Sequence, residues 1–189
     1  MMQTDLANSI SNLAAELKGW RRHLHMHPEP SFQEWQTMEF VCSVLDKYGI
    51  SFEKGVADTG VVAMIRASWH PQDAPCLALR ADLDALPIQE LNDVPYKSQN
   101  EGWMHACGHD VHTTILLGTA VLLQQQKEQL KRPIKLIFQP GEEQSPGGAT
   151  LMMKAGVLEN PHVDELIALH VYPEMEVGHV GSRSGLYMA

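Results

Sequence analysis

The chain has 189 residues, with 14 basic against 23 acidic side chains and a formal net charge of −9 when its 10 histidines are neutral. That balance excludes a nucleic-acid binder, which needs a basic stripe to displace counterions from phosphates. Apolar residues at 44% and charged residues at 20% exclude disorder as the main state, and the longest apolar run, Ile115 to Leu123, is broken by Gly118 and Thr119 and falls short of the about 20 residues a membrane span needs.

The first element predicted is an amphipathic helix, with Leu6, Ile10, Leu13, Leu17 and Leu24 at helical spacing and His27-Pro28-Glu29-Pro30 as its stop. Its start runs through polar Gln3, Asp5, Asn8 and Asn12, so no secretory leader is expected. A second helix is predicted from Ser31, paired with Glu34 as a capping box, with Trp35, Met38, Val41, Cys42, Leu45 and Tyr48 on its apolar face and Gly49 closing it. Strands are predicted at Val61 to Arg66 and Cys76 to Leu83, the latter apolar and short as buried strands are. Pro87 to Met104 lacks periodicity and reads as a loop. Helical spacing resumes from about His112 to Gln126, Ile134 to Phe138 reads as a strand, and a short helix ends near Gly156. The last strand predicted, Leu166 to Val171, contains a histidine.

Helices and strands alternate, so the class expected is α/β, with a mixed, largely parallel central sheet flanked by helices in one compact unit. Cys42, Cys76 and Cys107 are odd in number and widely spaced, which implies no disulfide framework and a reducing, cytoplasmic setting.

Potential ligands and acids concentrate in four segments: Arg80-Ala81-Asp82-Leu83-Asp84, His105-Ala106-Cys107-Gly108-His109-Asp110-Val111-His112, Gln139-Pro140-Gly141-Glu142-Glu143, and Leu169-His170. Each follows a predicted strand, and ligands of open α/β sheets bind outside the carboxyl ends of strands. Cys107 and His109, one residue apart with Gly108 between, can face one centre, and thiolate with imidazole suits zinc or another late first-row divalent metal. Asp110 and His112 can add a ligand or orient the others from behind, while His105 and His112 read equally well as surface residues and Cys107 as a small buried hydrophobe. In extended backbone Glu142 and Glu143 point opposite ways, so one can bind a cation while the other acts as general base, although the pair taken alone reads more readily as a solvated turn. Asp82 and Asp84, two apart, share a face and suit support of a ligand or water network. A lone histidine closing an apolar strand is ordinarily a packed core residue; the other three segments make His170 a candidate. His23, His25 and His27 resemble a metal tract but sit at a helix end before prolines and read as structural. Met152 and Met153 read as packing. No Cys-x-x-Cys pair, phosphate loop or dinucleotide fingerprint is present.

Five blocks in order resemble one family over nearly the whole chain. They are Arg21-Arg22-His23-Leu24-His25 running into His27-Pro28-Glu29-Pro30-Ser31-Phe32-Gln33-Glu34, then Arg80 to Pro87, Met104 to His112, Phe138 to Glu143, and Leu169-His170-Val171-Tyr172-Pro173. The chain resembles the zinc-type aminoacylase and carboxypeptidase superfamily, within it the amidohydrolases that include hippurate hydrolase and indole-acetyl amino acid hydrolases. The resemblance implies a zinc-dependent exopeptidase-like catalytic domain with two divalent ions, zinc or manganese, with cobalt or nickel as alternatives. It implies Cys107, His109, Glu143 and His170 as metal ligands, Glu142 as the general base for a metal-bound water, and Asp84 as the supporting acid. Asp82 stands where more distant relatives carry a ligating histidine, and Gly141 where an alanine is common.

The reaction implied is hydrolysis of the amide bond of N-acyl amino acids, small hippurate-like substrates, with no nucleic-acid or membrane partner. Family members are about twice this length, so residues 1–189 are expected to form the N-terminal part of a catalytic domain, without the lid domain and the C-terminal part. An uncovered apolar edge, and with it a homo-oligomer, is the expected consequence. The competing reading is a catalytically inactive fragment that folds and binds at most one metal. A structural zinc module is the third, disfavoured because only Cys107 and His109 form a close pair.

Overall fold

The computed structural model describes residues 2–185, with side chains from residue 6 onward. Helix α1 spans Met2–Met26 and α2 Trp35–Lys47; β1 (Ser51–Val56) and β2 (Gly60–Ile65) form a hairpin, followed by β3 (Cys76–Asp82). Then come α3 (His109–Gln125), a single 3-10 turn at Lys127–Gln129, β4 (Ile134–Gln139), α4 (Gly148–Lys154) and β5 (Val163–Ala168).

The five strands form one sheet in the order β1-β2-β4-β3-β5. β1 with β2 and β2 with β4 are antiparallel, whereas β3 runs parallel to β4 and to β5. The sheet is therefore mixed, as expected, and its parallel part is the half that matters for the site: β4, β3 and β5 all end at one edge.

Alternation along the strands decides which face is covered by what. Val61, Ala63 and Ile65 of β2 and Ile134, Leu136 and Phe138 of β4 pack with Leu13, Trp20, Val41, Leu45, Leu117 and Val121 of α1, α2 and α3. The opposite face, with Ala78 and Ile137, packs on Met152 and Val157 around α4. β4 is buried along its whole length. Its one charged residue, Lys135, is tolerated because its ammonium donates to the carbonyls of Val157 at 2.6 Å and Pro161 at 2.9 Å.

Several element bounds differ from expectation. α2 begins at Trp35, and Glu34 at its N-cap makes no side-chain cap. The cap is supplied by Glu29, whose carboxylate accepts the backbone N–H groups of Gln36 and Thr37. Trp35 is 53% exposed, so the buried face is Met38, Val41, Cys42 and Leu45. α3 opens three residues early, at His109, with Asp110 in its first turn. The final strand lies at Val163–Ala168, which puts His170 beyond its end. Met153 is exposed, and of the two adjacent methionines only Met152 packs. The β1 strand has no apolar run to announce it, being mostly exposed.

β5 pairs on one side only, with β3, and exposes Leu166 at 49% and Ile167 at 54%. Beside it Ile115, Leu116, Ile167 and Leu169, together with His112, line a groove of about 130 Å³. Among the described residues no helix is long and apolar enough to cross a membrane.

Candidate metal centre

The parallel strands deliver three of the four acid- and imidazole-bearing segments to the same edge. Asp82 ends β3 and Asp84 lies just past it; Glu142 and Glu143 follow β4, and His170 follows β5. The fourth segment enters from the loop before α3. Gly108 there has φ of +86° and turns the chain between Cys107 and His109. A Cβ on Gly108 would lie 2.4 Å from Val171 Cγ2, so the glycine also lets the β5 exit approach.

Cys107 Sγ lies 3.4 Å from His170 Nε2. One ligand atom from each of Cys107, His109 and His170 lies within 4.8 Å of the others, and the same holds for His109, Glu142 and Glu143. His109 Nε2 is 3.7 Å from Glu143 Oε1. His109 is thus shared by two trios, one with Cys107 and His170 and the other with Glu142 and Glu143. The expectation that Glu142 and Glu143 point opposite ways is overturned. Both lie past the end of β4, where Gly141 has φ of +53°, so strand alternation no longer applies and both carboxylates face His109.

The donor atoms are presented in a form a cation can use. His109 Nδ1 lies 3.3 Å from Asp84 Oδ1, and His170 Nδ1 lies 2.6 Å from the Val171 carbonyl. Both contacts are made by Nδ1, which turns Nε2 of each ring toward the centre, the arrangement in which metal-binding histidines are oriented from behind. Asp84 also accepts the Ser31 hydroxyl at 2.6 Å and the Glu143 backbone N–H at 2.9 Å. Burial alone would raise the Asp84 pKa, but the bonds from His109, Ser31 and Glu143 hold it below the usual carboxylate range.

Negative groups crowd the centre. Burial, then the nearby Glu143, push the Cys107 thiol up to about 12, and burial with Glu143 also raises Glu142. A thiol, two carboxylates and two imidazole lone pairs gathered this closely fit a divalent cation, whose charge would favour the deprotonated thiol.

Asp82 is already occupied: Oδ2 accepts from Arg80 at 2.7 Å and Oδ1 from His112 Nδ1 at 2.7 Å. Against its burial, His112, His109 and Arg80 keep it charged far below the ordinary range. His105 and His112 are buried, not surface residues. His105 has no partner on either ring nitrogen, and burial lowers its pKa to about 4, so it is neutral. His25 sits between Asp110 and Glu90, and His23 stacks on Phe40, which gives both structural roles.

Sequence reasoning missed Ser31 and Glu34, which it assigned to a helix cap. Neither side chain caps α2: Ser31 lies before the helix and bonds Asp84, and the Glu34 carboxylate accepts the Gly141 backbone N–H at 2.7 Å. The signal was available in Pro28 and Pro30, which keep that segment extended just before the supposed cap.

Residues 78–185 match the family described as peptidase family M20/M25/M40. Among curated proteins the chain is 44% identical over 181 residues to an N-acetyl-L-cysteine deacetylase of Bacillus subtilis, covering 96% of this chain and 42% of that one. It is 40% identical over 189 residues to an N-acyl-L-amino acid amidohydrolase of Geobacillus stearothermophilus, covering 100% of this chain and 50% of that one. Among solved structures, a Bacillus subtilis protein described as a dinuclear metal-binding peptidase of the M20 family superposes with a TM-score of 0.85 at 41% identity, over 93% of this chain and 47% of that one. The chain spans about half the length of the curated relatives it matches.

Proposed function

Because the chain belongs to peptidase family M20/M25/M40, we propose that it carries the metal-binding half of an amidohydrolase acting on N-acyl amino acids. The observation that carries the reading is the meeting of Cys107, His109 and His170 within 4.8 Å of one another, with Glu143 at 3.7 Å from His109. Relatives described as an amidohydrolase of N-acyl amino acids and a deacetylase of an N-acetyl amino acid support the substrate class. Residues 1–189 are read as the N-terminal part of the catalytic domain.

Cys107, His109, Glu143 and His170 would hold divalent cation, two ions in the complete site, of zinc or manganese. A cation held there supplies Lewis acidity, polarising the amide carbonyl and making a bound water more acidic.

The rest is done by the chain. Burial and the neighbouring Glu143 raise the Glu142 pKa, which favours its taking a proton. It accepts one proton from the attacking water as the water oxygen bonds to the carbonyl carbon. It then delivers that proton to the amide nitrogen as the C–N bond breaks, releasing a carboxylic acid and the free amino acid. Asp84 keeps the His109 ring in register, and Ser31 and the Glu143 backbone N–H keep Asp84 in place.

The test is metal analysis and turnover of the purified chain with zinc or manganese, using acetyl- and benzoyl-amino acids. Two equivalents of metal with turnover support the hydrolase. One or none, without turnover, supports a fragment that folds and binds at most one metal. Where turnover is present, Glu142→Gln should lower kcat by about 10²–10⁴-fold and leave the metal content unchanged; unchanged kcat removes Glu142 from the mechanism.

A further inference from the structure

We propose that His112 is a positioning residue: by accepting the Val171 backbone N–H it fixes the peptide behind His170, so that the His170 ring faces Cys107 and His109. The proposal rests on His170 being a metal ligand and adds to that reading a residue it does not contain.

His112 Nε2 lies 3.0 Å from the Val171 backbone nitrogen. A backbone N–H can only donate, so Nε2 must be the acceptor and the ring proton must sit on Nδ1. That proton points at Asp82 Oδ1, 2.7 Å away. Asp82 is held in turn by Arg80 through its other oxygen, and Arg80 by Gln139 of β4. The line Gln139–Arg80–Asp82–His112–Val171 thus runs from the centre of the sheet to the exit of β5.

Proton bookkeeping also decides what His112 is not. Asp82, His109 and His112 have ligand atoms within 4.8 Å of one another and are all buried, which makes them a candidate ion site of their own. Yet both His112 nitrogens and both Asp82 oxygens already have partners. A cation there would have to displace the Val171 N–H and leave it unpaired. The trio is a scaffold.

The anchored segment needs an anchor. β5 stops at Ala168, so His170 and Val171 have no strand partner. His170 is exposed, and its own Nδ1 reaches the adjacent Val171 carbonyl. Two contacts hold Val171 against the Cys107–His112 segment: its Cγ2 in the space left by Gly108, and its N–H on His112. Both lie one residue from His170.

The test needs side chains that separate the two halves of the imidazole. In His112→Asn the amide can still meet Asp82 but no longer reaches Val171; in His112→Gln the side-chain oxygen reaches the Nε2 position and can accept the Val171 N–H. Cobalt(II) is titrated into the chain and followed by its visible absorption with the thiolate. His112→Asn should weaken cobalt binding by about 10–100-fold, as loss of groups that orient ligands does, and His112→Gln should recover most of it. In a His170→Ala background, His112→Asn should have no further effect. Wild-type binding by His112→Asn, equal loss in both variants, or multiplying losses with His170→Ala would each overturn the proposal. If His170→Ala and Cys107→Ala bind cobalt as the wild type does, the metal reading fails, which is a separate outcome. One measurement needs no variant: ring-nitrogen NMR of the labelled chain should find His112 neutral with its proton on Nδ1, and a proton on Nε2 overturns the proposal.

Discussion

Glu34, between the first two helices, accepts the backbone N–H of Gly141 at 2.7 Å, bridging 107 positions of sequence. Its other carboxylate oxygen accepts the Thr59 hydroxyl, and the residue has no exposed surface. Burial raises its pKa, with the Thr59 and Gly141 bonds working the other way. The turn that presents Glu142 is therefore held from behind by a residue remote in sequence. Glu34→Ala leaves the Gly141 N–H and the Thr59 hydroxyl unpaired in the core and should destabilise the chain by about 2–4 kcal/mol. Glu34→Gln keeps an acceptor for Gly141 and should cost less than half as much. Urea unfolding of both variants checks this, and equal losses would show that the cavity, not the bond, carries the effect.

The same turn explains an unusual residue. Gly141 has φ of +53°, and a Cβ built there would lie 2.3 Å from Phe32 Cζ. Phe32 itself has φ of 62°, which tips its ring onto the glycine. An alanine at 141 therefore meets both backbone strain and a ring, and Gly141→Ala should cost about 2–3 kcal/mol. Adding Phe32→Ala removes the ring and should make the double variant less destabilised than the sum of the singles by about 1 kcal/mol. Additive losses in thermal unfolding would show that the glycine is required by backbone strain alone.

Away from the centre, a buried histidine sets a pH dependence. His25 Nδ1 lies 2.7 Å from Asp110 Oδ2 and Nε2 lies 3.2 Å from Glu90 Oε1. Arg21, Tyr96 and His105 also border it. The Asp110 bond raises its pKa; burial and Arg21 oppose, and Glu90 assists. A raised folded pKa means the stabilisation is complete below the unfolded value of about 6.5 and is lost as pH rises through the folded value. The stability gap between wild type and His25→Gln should therefore be wider at pH of about 5.5 than at about 8.5. A gap that does not change with pH would mean that folding leaves the His25 pKa unshifted, and a gap that narrows toward pH of about 5.5 would mean that folding lowers it.

Much of the architecture could be read from the residues because burial leaves a regular trace. The apolar β4 run and the 3.6-residue spacing of α1 and α2 mark elements whose inner faces meet one core. β1 left no such trace, because its residues are mostly exposed and it forms by pairing with β2. The four segments rich in acids and imidazoles could be marked out because strand ends are where such groups gather, while the choice of Cys107, His109, Glu143 and His170 among them came with the family resemblance. Asp84 could be named through the same resemblance, but the residues that hold Asp84 and the Gly141 turn could not. Ser31 and Glu34 fit a local capping pattern, and only the tertiary fold shows that Glu29 caps α2 and releases them. The Glu142–Glu143 reading failed for a related reason: one positive φ at Gly141 ends strand alternation. His112 had one legible cue, its spacing of three from His109 on α3, which puts both on one helix face.

Metal should also stabilise the fold, because the candidate ligands come from segments that only folding brings together. A ligand that binds the folded chain alone adds about 2.7 kcal/mol at a concentration 100 times its Kd. For a chain of this size each kcal/mol moves Tm by about 2–4 °C, so saturating zinc should raise Tm by about 5–10 °C and a chelator should reverse it. Cys107→Ala and His170→Ala remove donors that lie 3.4 Å apart and should abolish most of that shift. Glu142→Gln should keep it in full, since Glu142 is assigned to proton transfer. His112→Asn should fall between, its loss vanishing when His170 is already absent. A zinc-dependent shift that survives in Cys107→Ala and His170→Ala alike would place the bound metal elsewhere on this histidine-rich chain.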